Sequence, residues 1–362
     1  MRVLIDIGHP AHVHLFTHFA LEMQSKGHKV LFTCRDKEFE IELLKSHQFT
    51  YKSFGKKYKS ILGKLWGLVK FDWMEWKTAF AFKPDVFISH GSICASHSAF
   101  LLRKAHISLE DTYNFEQIRL YLPFTDTVLT ADYEHPLYSR KVIRYAGYHE
   151  LAYLHPNRFI SEDSVLQELG VLPNEKYVIL RFVSWNASHD IGHKGISYEN
   201  KLKAIKVFSN YAKVFISSEA ELPEELKPYQ MPIRPERMHH AIAFAYLLWG
   251  ESSTMSEEAA MLGVPSLFHN DKGTYYTTHL EKQYGILFNY TESLQDQEKA
   301  ITKGIELLQR DKTDLQREWQ QKREKMLEDK IDVTAFLVWF VENYPQSKEI
   351  MKENPEYQYK FR

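Results

Sequence analysis

The chain has 362 residues, 44% of them apolar and 14% aromatic, more than one hydrophobic core usually serves, so two domains are expected. Its 46 Lys and Arg against 47 Asp and Glu leave a formal charge of −1, which provides no global field to attract nucleic acid. Two cysteines without metal-ligand spacing, Cys34 and Cys94, exclude a disulfide scaffold and fit a reducing cytoplasm, and no apolar run reaches transmembrane length.

The opening MRVLIDIGHP enters a strand at 3–7 with no signal peptide. The loop Gly8-His9-Pro10-Ala11-His12-Val13-His14 follows, then a helix to about Lys26, Gly27 as its stop, and a strand at 29–34. A right-handed crossover puts that loop at the carboxyl ends of the strands, where open α/β sheets bind ligands. The dinucleotide glycine fingerprint is absent, so NAD is not indicated. The three histidines allow three readings. A metal cluster would need tighter spacing and a supporting Cys or Glu pair; a general base needs one imidazole titrating near neutral pH; a helix cap suits His9 best.

Residues 52–77 carry seven lysines against Asp72 and Glu75, interleaved with Phe54, Tyr58, Trp66, Phe71, Trp73 and Trp76. The favoured reading is an amphipathic stretch whose aromatics join the core while its lysines are solvated. The alternative is an interfacial surface that touches anionic lipid. Gly55, Gly63 and Gly67 argue against one long helix.

A strand at 86–89, the turn His90-Gly91-Ser92, a helix to about Arg103 and a strand at 106–109 make another β-α-β unit. The turn and the segment Glu110-Asp111-Thr112-Tyr113-Asn114 belong to the same edge, so Ser92, Glu110 and Asp111 are acceptor-site candidates. Their plain alternatives are helix capping for Ser92 and solvated loop charge for the acids. A strand at 127–131 and a turn at 145–150 close the first domain, and 156–175 reads as a linker with a short helix, 162–169, stopped by Gly170.

In the second half, a strand at 177–183 precedes a polar loop in which His189 and Asp190 are site candidates beside Gly192 and Gly195. Arg181 could pair with a diphosphate or bridge a neighbouring acid. Strands at 213–217 and 245–249 lead to the most informative stretch, GESSTMSEEAAMLGVP at 250–265. Gly250 breaks the strand, and Ser252, Ser253 and Thr254 stand where a helix exposes unpaired N–H groups, a place for phosphate. A helix at 255–262 stops at Gly263, and Val264-Pro265 leads to a strand at 266–269. Thr254 and Glu257 fit a capping box; Glu258, one turn into the helix, is placed to accept from a ribose diol. The turn from Asp271 to Tyr275, a helix around 301–308, a charged run to Lys330 read as a solvated helix face, and an apolar helix from 333 complete the chain.

Ser252-Ser253-Thr254, Glu258 and Gly263-Val264-Pro265 resemble the donor-nucleotide motif of GT-B glycosyltransferases. In spacing they are similar to the undecaprenyl-linked GlcNAc transferase of peptidoglycan synthesis and to the non-hydrolysing UDP-GlcNAc 2-epimerases, although two glycines common in the epimerase pattern are Ser253 and Thr254 here. The resemblance implies an α/β, GT-B-like fold of two Rossmann-like domains facing across a cleft. Residues 1–158 would form the acceptor domain, 159–331 the nucleotide-sugar donor domain, and 332–362 a C-terminal helix packing back on the first. It further implies that Ser252, Ser253 and Thr254 hold the diphosphate and that Glu258 holds the ribose; Arg181 and His189 join them as nucleotide-site candidates from their own strand and loop. His12-Val13 resembles the His-Val pair ending the transferase's Gly-rich loop, which implies His12 as base; Glu110 and Asp111 are catalytic candidates from their place at the same edge. Where the epimerases carry an acid after the Gly of a His-Gly turn, this chain has Ser92, which favours a transferase.

The opening DIGHPAHVH and the loop RFVSWNASHD also resemble an uncharacterised bacterial and archaeal family of GT-B-like proteins. The expected activity is metal-independent glycosyl transfer from a nucleotide-diphosphate sugar, a UDP-sugar favoured, to a carbohydrate or lipid-linked acceptor. A UDP-sugar 2-epimerase or hydrolase and a non-catalytic nucleotide-sugar binding protein are the alternatives. No resident cofactor or metal is expected, the nucleotide sugar being a substrate. The expected location is the cytoplasm, with the inner membrane face as its place on the alternative, interfacial reading of 52–77.

Overall fold

Strands covered on both faces read as near-continuous apolar runs, and the runs VLIDI, VFIS, VILRF and LLW form such strands in the computed structural model, which describes all residues except 37–38, 57, 59, 134, 136–137 and 184–194, and no side chain at 61, 62, 64 and 65. The chain divides into two compact units, Met1–Arg158 with Lys330–Arg362, and Phe159–Asp329.

The first unit runs β1 (Arg2–Ile7), α1 (Pro10–Ser25), β2 (Lys29–Asp36), α2 (Glu40–Ser46), β3 (Tyr51–Lys56), α3 (Ile61–Phe82), β4 (Val86–His90), α4 (Ile93–Leu102), β5 (Ala105–Leu109), α5 (Phe115–Tyr121), β6 (Thr127–Ala131), β7 (Val142–Tyr145) and α6 (Leu151–Leu154). Its seven strands are ordered β3-β2-β1-β4-β5-β6-β7, and every pair is parallel. The order reverses between β1 and β4, the point where an open α/β sheet leaves a crevice beyond its carboxyl ends.

Strands β3 and β7 were not expected from the sequence, since Gly55 interrupts one and the turn at Gly147 follows the other. The expectation of a broken helix at 61–82 is also corrected: α3 is one helix of 22 residues. Its glycines serve a close approach. A Cβ on Gly67 would lie 2.9 Å from the ring of Tyr58, and one on Gly63 2.9 Å from the Cβ of Tyr58, so Tyr58 packs where larger residues would collide. The aromatics of this stretch divide: Phe54 and Phe71 join a buried cluster with Cys94, whereas Trp66 and Trp73 are exposed, against the reading that all of them enter the core.

The second unit runs α7 (Ser164–Leu169), β8 (Tyr177–Phe182), α8 (Tyr198–Phe208), β9 (Lys213–Ser218), α9 (Met238–Phe244), β10 (Leu247–Gly250), α10 (Ser253–Met261), β11 (Ser266–His269), α11 (Tyr275–His279), β12 (Leu287–Tyr290), α12 (Leu294–Gln309) and α13 (Lys312–Asp329). Its parallel sheet is ordered β12-β11-β10-β8-β9, so the order reverses between β8 and β10. The charged helix α13 is solvated except for a stripe of Leu315, Trp319 and Met326, with Trp319 donating its indole N–H to the Ile286 carbonyl at 2.7 Å.

Helices α14 (Val333–Glu342) and α15 (Gln346–Glu353) belong to the first unit. There α14 packs against α1 and α6. Thr334 donates to the Ala152 carbonyl at 2.7 Å, and Arg158 pairs with Asp332, the cap of α14, at 2.8 Å.

Candidate functional site

In the first unit the side chains at the β1/β4 reversal are imidazoles. Beyond β1, His9 caps α1 by accepting from the Ala11 N–H at 3.2 Å, with Pro10 opening the helix, so the capping expectation for His9 holds. His12 lies in the first turn. Its Nδ1 accepts from the Gly8 N–H at 3.2 Å, which leaves the proton of the neutral ring on Nε2. Its ring lies 4.5 Å from that of His90, the last residue of β4. His14 turns away and its ring pairs with Tyr153 at 5.5 Å.

His90 and His149 grip opposite oxygens of Asp111, at 2.9 and 3.0 Å. Three strand ends therefore converge on one carboxylate, which follows β5, while His149 follows β7. Burial opposes charge on His90, but the Asp111 carboxylate outweighs it by attraction and a hydrogen bond, and the His90 pKa rises to about 9. Burial would raise Asp111, yet the two imidazoles hold it well below the usual carboxylate range. Burial first, then the charges of His90 and His9, hold His12 well below 6.5. At neutral pH the group is an imidazolium bound to a carboxylate beside a neutral imidazole. With its Nδ1 on Asp111, His149 has a buried Nε2 without a hydrogen-bond partner. His90, Asp111 and His149 are also the residues that could hold a divalent cation, their donor atoms lying within 4.8 Å of one another.

Two other acids at this edge, Glu110 and Asp6, are committed elsewhere. Glu110 is neither solvated nor open: Oε1 accepts from the Thr112 N–H and hydroxyl and the Tyr113 N–H at 2.9 to 3.0 Å, and Oε2 from the Tyr121 hydroxyl at 2.7 Å. It braces the turn at Tyr113, whose φ is 53°. Asp6 takes both oxygens to Arg35, at 2.6 and 2.8 Å, and also accepts from Ser92. Ser92 caps α4, accepting from the Ala95 N–H at 3.2 Å, as its plain alternative had it.

In the second unit the strand-turn-helix reading of 250–265 holds, with a shifted start. Ser252, not Thr254, is the cap of α10, accepting from the Met255 N–H at 3.3 Å. Ser253 and Thr254 already lie in the first turn, because Gly250 is the last strand residue and leaves only two residues of connection. Gly250 pairs with Arg181, and a Cβ there would lie 2.1 Å from the Arg181 carbonyl oxygen. Ser253 accepts from the Tyr276 hydroxyl at 2.9 Å. Glu258 is buried and accepts from His239 at 2.9 Å. Arg181 bridges an acid, donating to Glu219 at 2.6 Å and to Ser217 at 3.1 Å. His189 lies outside the described residues.

The sequence reading missed two features. His90 is read there only as part of a turn and His149 lies unremarked within the turn at 145–150; the signal available is a histidine placed at or just past the carboxyl end of a strand. Glu251 was passed over between Gly250 and Ser252, yet its carboxylate accepts from the Val183 N–H at 2.8 Å and the Ile196 N–H at 2.6 Å and pairs with buried Lys201 at 3.1 Å.

The fold is similar to those of several solved structures. They include Staphylococcus aureus MnaA with UDP (TM-score 0.64, 13% identity, 96% of this chain and 97% of that one) and the UDP-GlcNAc 2-epimerase of Neisseria meningitidis bound to UDP-GlcNAc (TM-score 0.59, 16%, 91% and 100%). A third is the spinosyn rhamnosyltransferase SpnG complexed with spinosyn aglycone (TM-score 0.57, 15%, 95% and 100%). Identities this low carry the fold alone, and that fold is GT-B-like. No curated protein matches the sequence. Residues 1–281 match the profile of a family described as "Protein of unknown function (DUF354)".

Proposed function

We propose that this chain, which belongs to the DUF354 family of proteins of unknown function, is a metal-independent glycosyltransferase. The second unit takes a nucleotide-diphosphate sugar, a UDP-sugar first, and the first unit takes a carbohydrate or lipid-linked acceptor. The observation that carries the choice of reaction is the state of the acids at the first unit's carboxyl edge. Elimination of UDP from C1 with loss of the C2 proton, followed by re-addition, needs carboxylates able to exchange protons with carbon. Here Glu110 accepts four hydrogen bonds, Asp6 is held by Arg35, Ser92 replaces an acid, and Asp111 lies between two imidazoles. Transfer needs only that an acceptor hydroxyl be oriented and relieved of its proton.

The tautomer of His12 changes the role read from the sequence. A ring whose Nδ1 accepts from Gly8 offers Nε2–H, so His12 donates to an acceptor oxygen rather than acting as base. The base on this reading is His149, with Asp111 holding its Nδ1–H and leaving the lone pair on Nε2. The acceptor oxygen bonds to the anomeric carbon, the bond from that carbon to the diphosphate breaks with its electron pair going to UDP, and the hydroxyl proton passes to His149. In the second unit the N–H groups and hydroxyls at the start of α10 receive the diphosphate. Glu258 meets the ribose while keeping His239. No helix among the described residues is long and apolar enough to cross a membrane, and the reading places the protein in the cytoplasm, peripheral at the inner membrane face.

The test is incubation with UDP-sugars, followed by proton NMR. UDP released only when an acceptor preparation is added, with no inversion at C2, fits the proposal. Inversion at C2 without acceptor makes the chain a 2-epimerase, UDP release into water makes it a hydrolase, and binding without turnover makes it a nucleotide-sugar binding protein.

A further inference from the structure

Helix α3 is apolar on two faces. One face, with Gly67, Phe71 and Ala79, is buried in the first unit. The other carries Trp66, Val69, Trp73 and Phe80 at spacings of three, four and seven, a continuous helical stripe, and their exposures are 62, 62, 57 and 60%. The adjoining end of α4 adds Phe100 and Leu101, at 59 and 65%. A groove between the two helices is lined by Trp73, Trp76, Phe100 and Leu101, and a second groove beyond Trp73 reaches Lys52 and Lys77, so the apolar residues form one patch. A soluble helix keeps such residues on one face only, and a contiguous exposed patch of this kind marks a surface that is covered.

The charges around it choose the cover. Lys52, Lys77, Lys83, Arg103 and Lys104 are exposed at its margin, and the Lys77 ammonium lies 5.1 Å over the ring of Trp73. Of the two acids on α3, Glu75 is buried and Asp72 is taken by His97 at 2.8 Å. A cationic margin facing a second copy of itself would set like charges together. It complements an anionic surface, and indole rings beside lysines are the side chains that settle at the boundary between lipid headgroups and acyl chains.

We infer that the α3 stripe and the end of α4 form a docking face for an anionic lipid bilayer, with Trp66 and Trp73 entering the headgroup boundary. This face gives the peripheral placement a physical basis and rests on no assumption about the reaction.

The test uses the full-length protein without substrate, sedimented with phosphatidylcholine vesicles and with vesicles containing about a third phosphatidylglycerol, beside the double variant Trp66→Ala/Trp73→Ala and the charge variant Lys77→Glu/Lys104→Glu. The wild type binds the anionic vesicles and loses them as salt is raised. The double Trp variant binds at least about tenfold more weakly, and the charge variant loses at least about fivefold per cation, the factor for roughly 1 kcal/mol each. Both variants melt with the wild type, since the side chains are exposed. The inference is overturned if anionic vesicles do not bind, if the double Trp variant binds as well as the wild type, if its melting temperature drops by several degrees, or if light scattering shows a dimer that the Trp variant dissociates.

Discussion

Replacing Asp111 by asparagine removes the charge that His90 and His149 share while keeping the shape of the side chain. His90 titrates at about 9 in the folded chain against 6.5 for an ordinary histidine. A group whose folded pKa is raised contributes stability that is fully present below the unfolded value and is lost as pH rises through the folded one. The Asp111–His90 pair therefore contributes about 3 kcal/mol near pH 6.5 and about 1 kcal/mol near pH 8.5. The neutral amide of Asp111→Asn cannot hold the imidazolium, so the variant should be about 2 kcal/mol less handicapped at the higher pH. His12 works with the opposite sign: its folded pKa is depressed, chiefly by burial, so unfolding is favoured as pH falls through 6.5. Urea denaturation of both proteins at the two pH values gives the difference directly. An equal cost at both pH values would show that His90 is not an imidazolium held by Asp111, and the electrostatic account of the site would fail.

Four further outcomes follow from the geometry. Gly250→Ala puts a Cβ 2.1 Å from a backbone oxygen of the neighbouring strand, and should cost about 3 kcal/mol by urea denaturation. Ser252→Ala removes the cap of α10 and should cost about 1 kcal/mol, with weaker nucleotide binding by calorimetry. Glu110→Gln keeps an oxygen for the Tyr113 turn but replaces the acceptor of the buried Tyr121 hydroxyl by an NH2 donor, and should lower stability by about 2 kcal/mol, with KM for the sugar donor unchanged if Glu110 is a brace. His149→Ala and His12→Ala should each abolish transfer in a coupled UDP-release assay while nucleotide binding, which the proposal assigns to the second unit, is retained.

The parts of the fold legible in the sequence were those set by local chemistry. The stretch 250–265 reads as strand, turn, helix and strand because Gly250, Gly263 and Pro265 punctuate it, and even there Thr254 was mistaken for the cap, since either hydroxyl residue can accept from the third N–H beyond it. Gly63 and Gly67 were misread as helix breakers because their reason, the ring of Tyr58 lying on the helix, is a contact that propensity does not contain. The buried Asp6–Arg35 pair and the convergence of His90, Asp111 and His149 were hidden for the same reason: they are made by strand order, which brings together residues 29, 21 and 38 positions apart. Arg181 and Ser92 had two readings each, and packing favoured the plain one for both. Trp66 and Trp73 ran the other way, because composition cannot say which side of a helix meets the core.

The central claim is that the second unit takes a nucleotide-diphosphate sugar. Its most direct test is thermal stabilisation of the pure protein by UDP, GDP, CMP, dTDP and several UDP-sugars, with Ser252→Ala alongside. A ligand at about 100 times its dissociation constant adds roughly 2.7 kcal/mol, visible as a rise in melting temperature. The account predicts that one diphosphate nucleotide, UDP first, raises the melting of the wild type and raises that of Ser252→Ala less. If none does, α10 begins with a capping serine and nothing more, and the glycosyltransferase reading is contradicted.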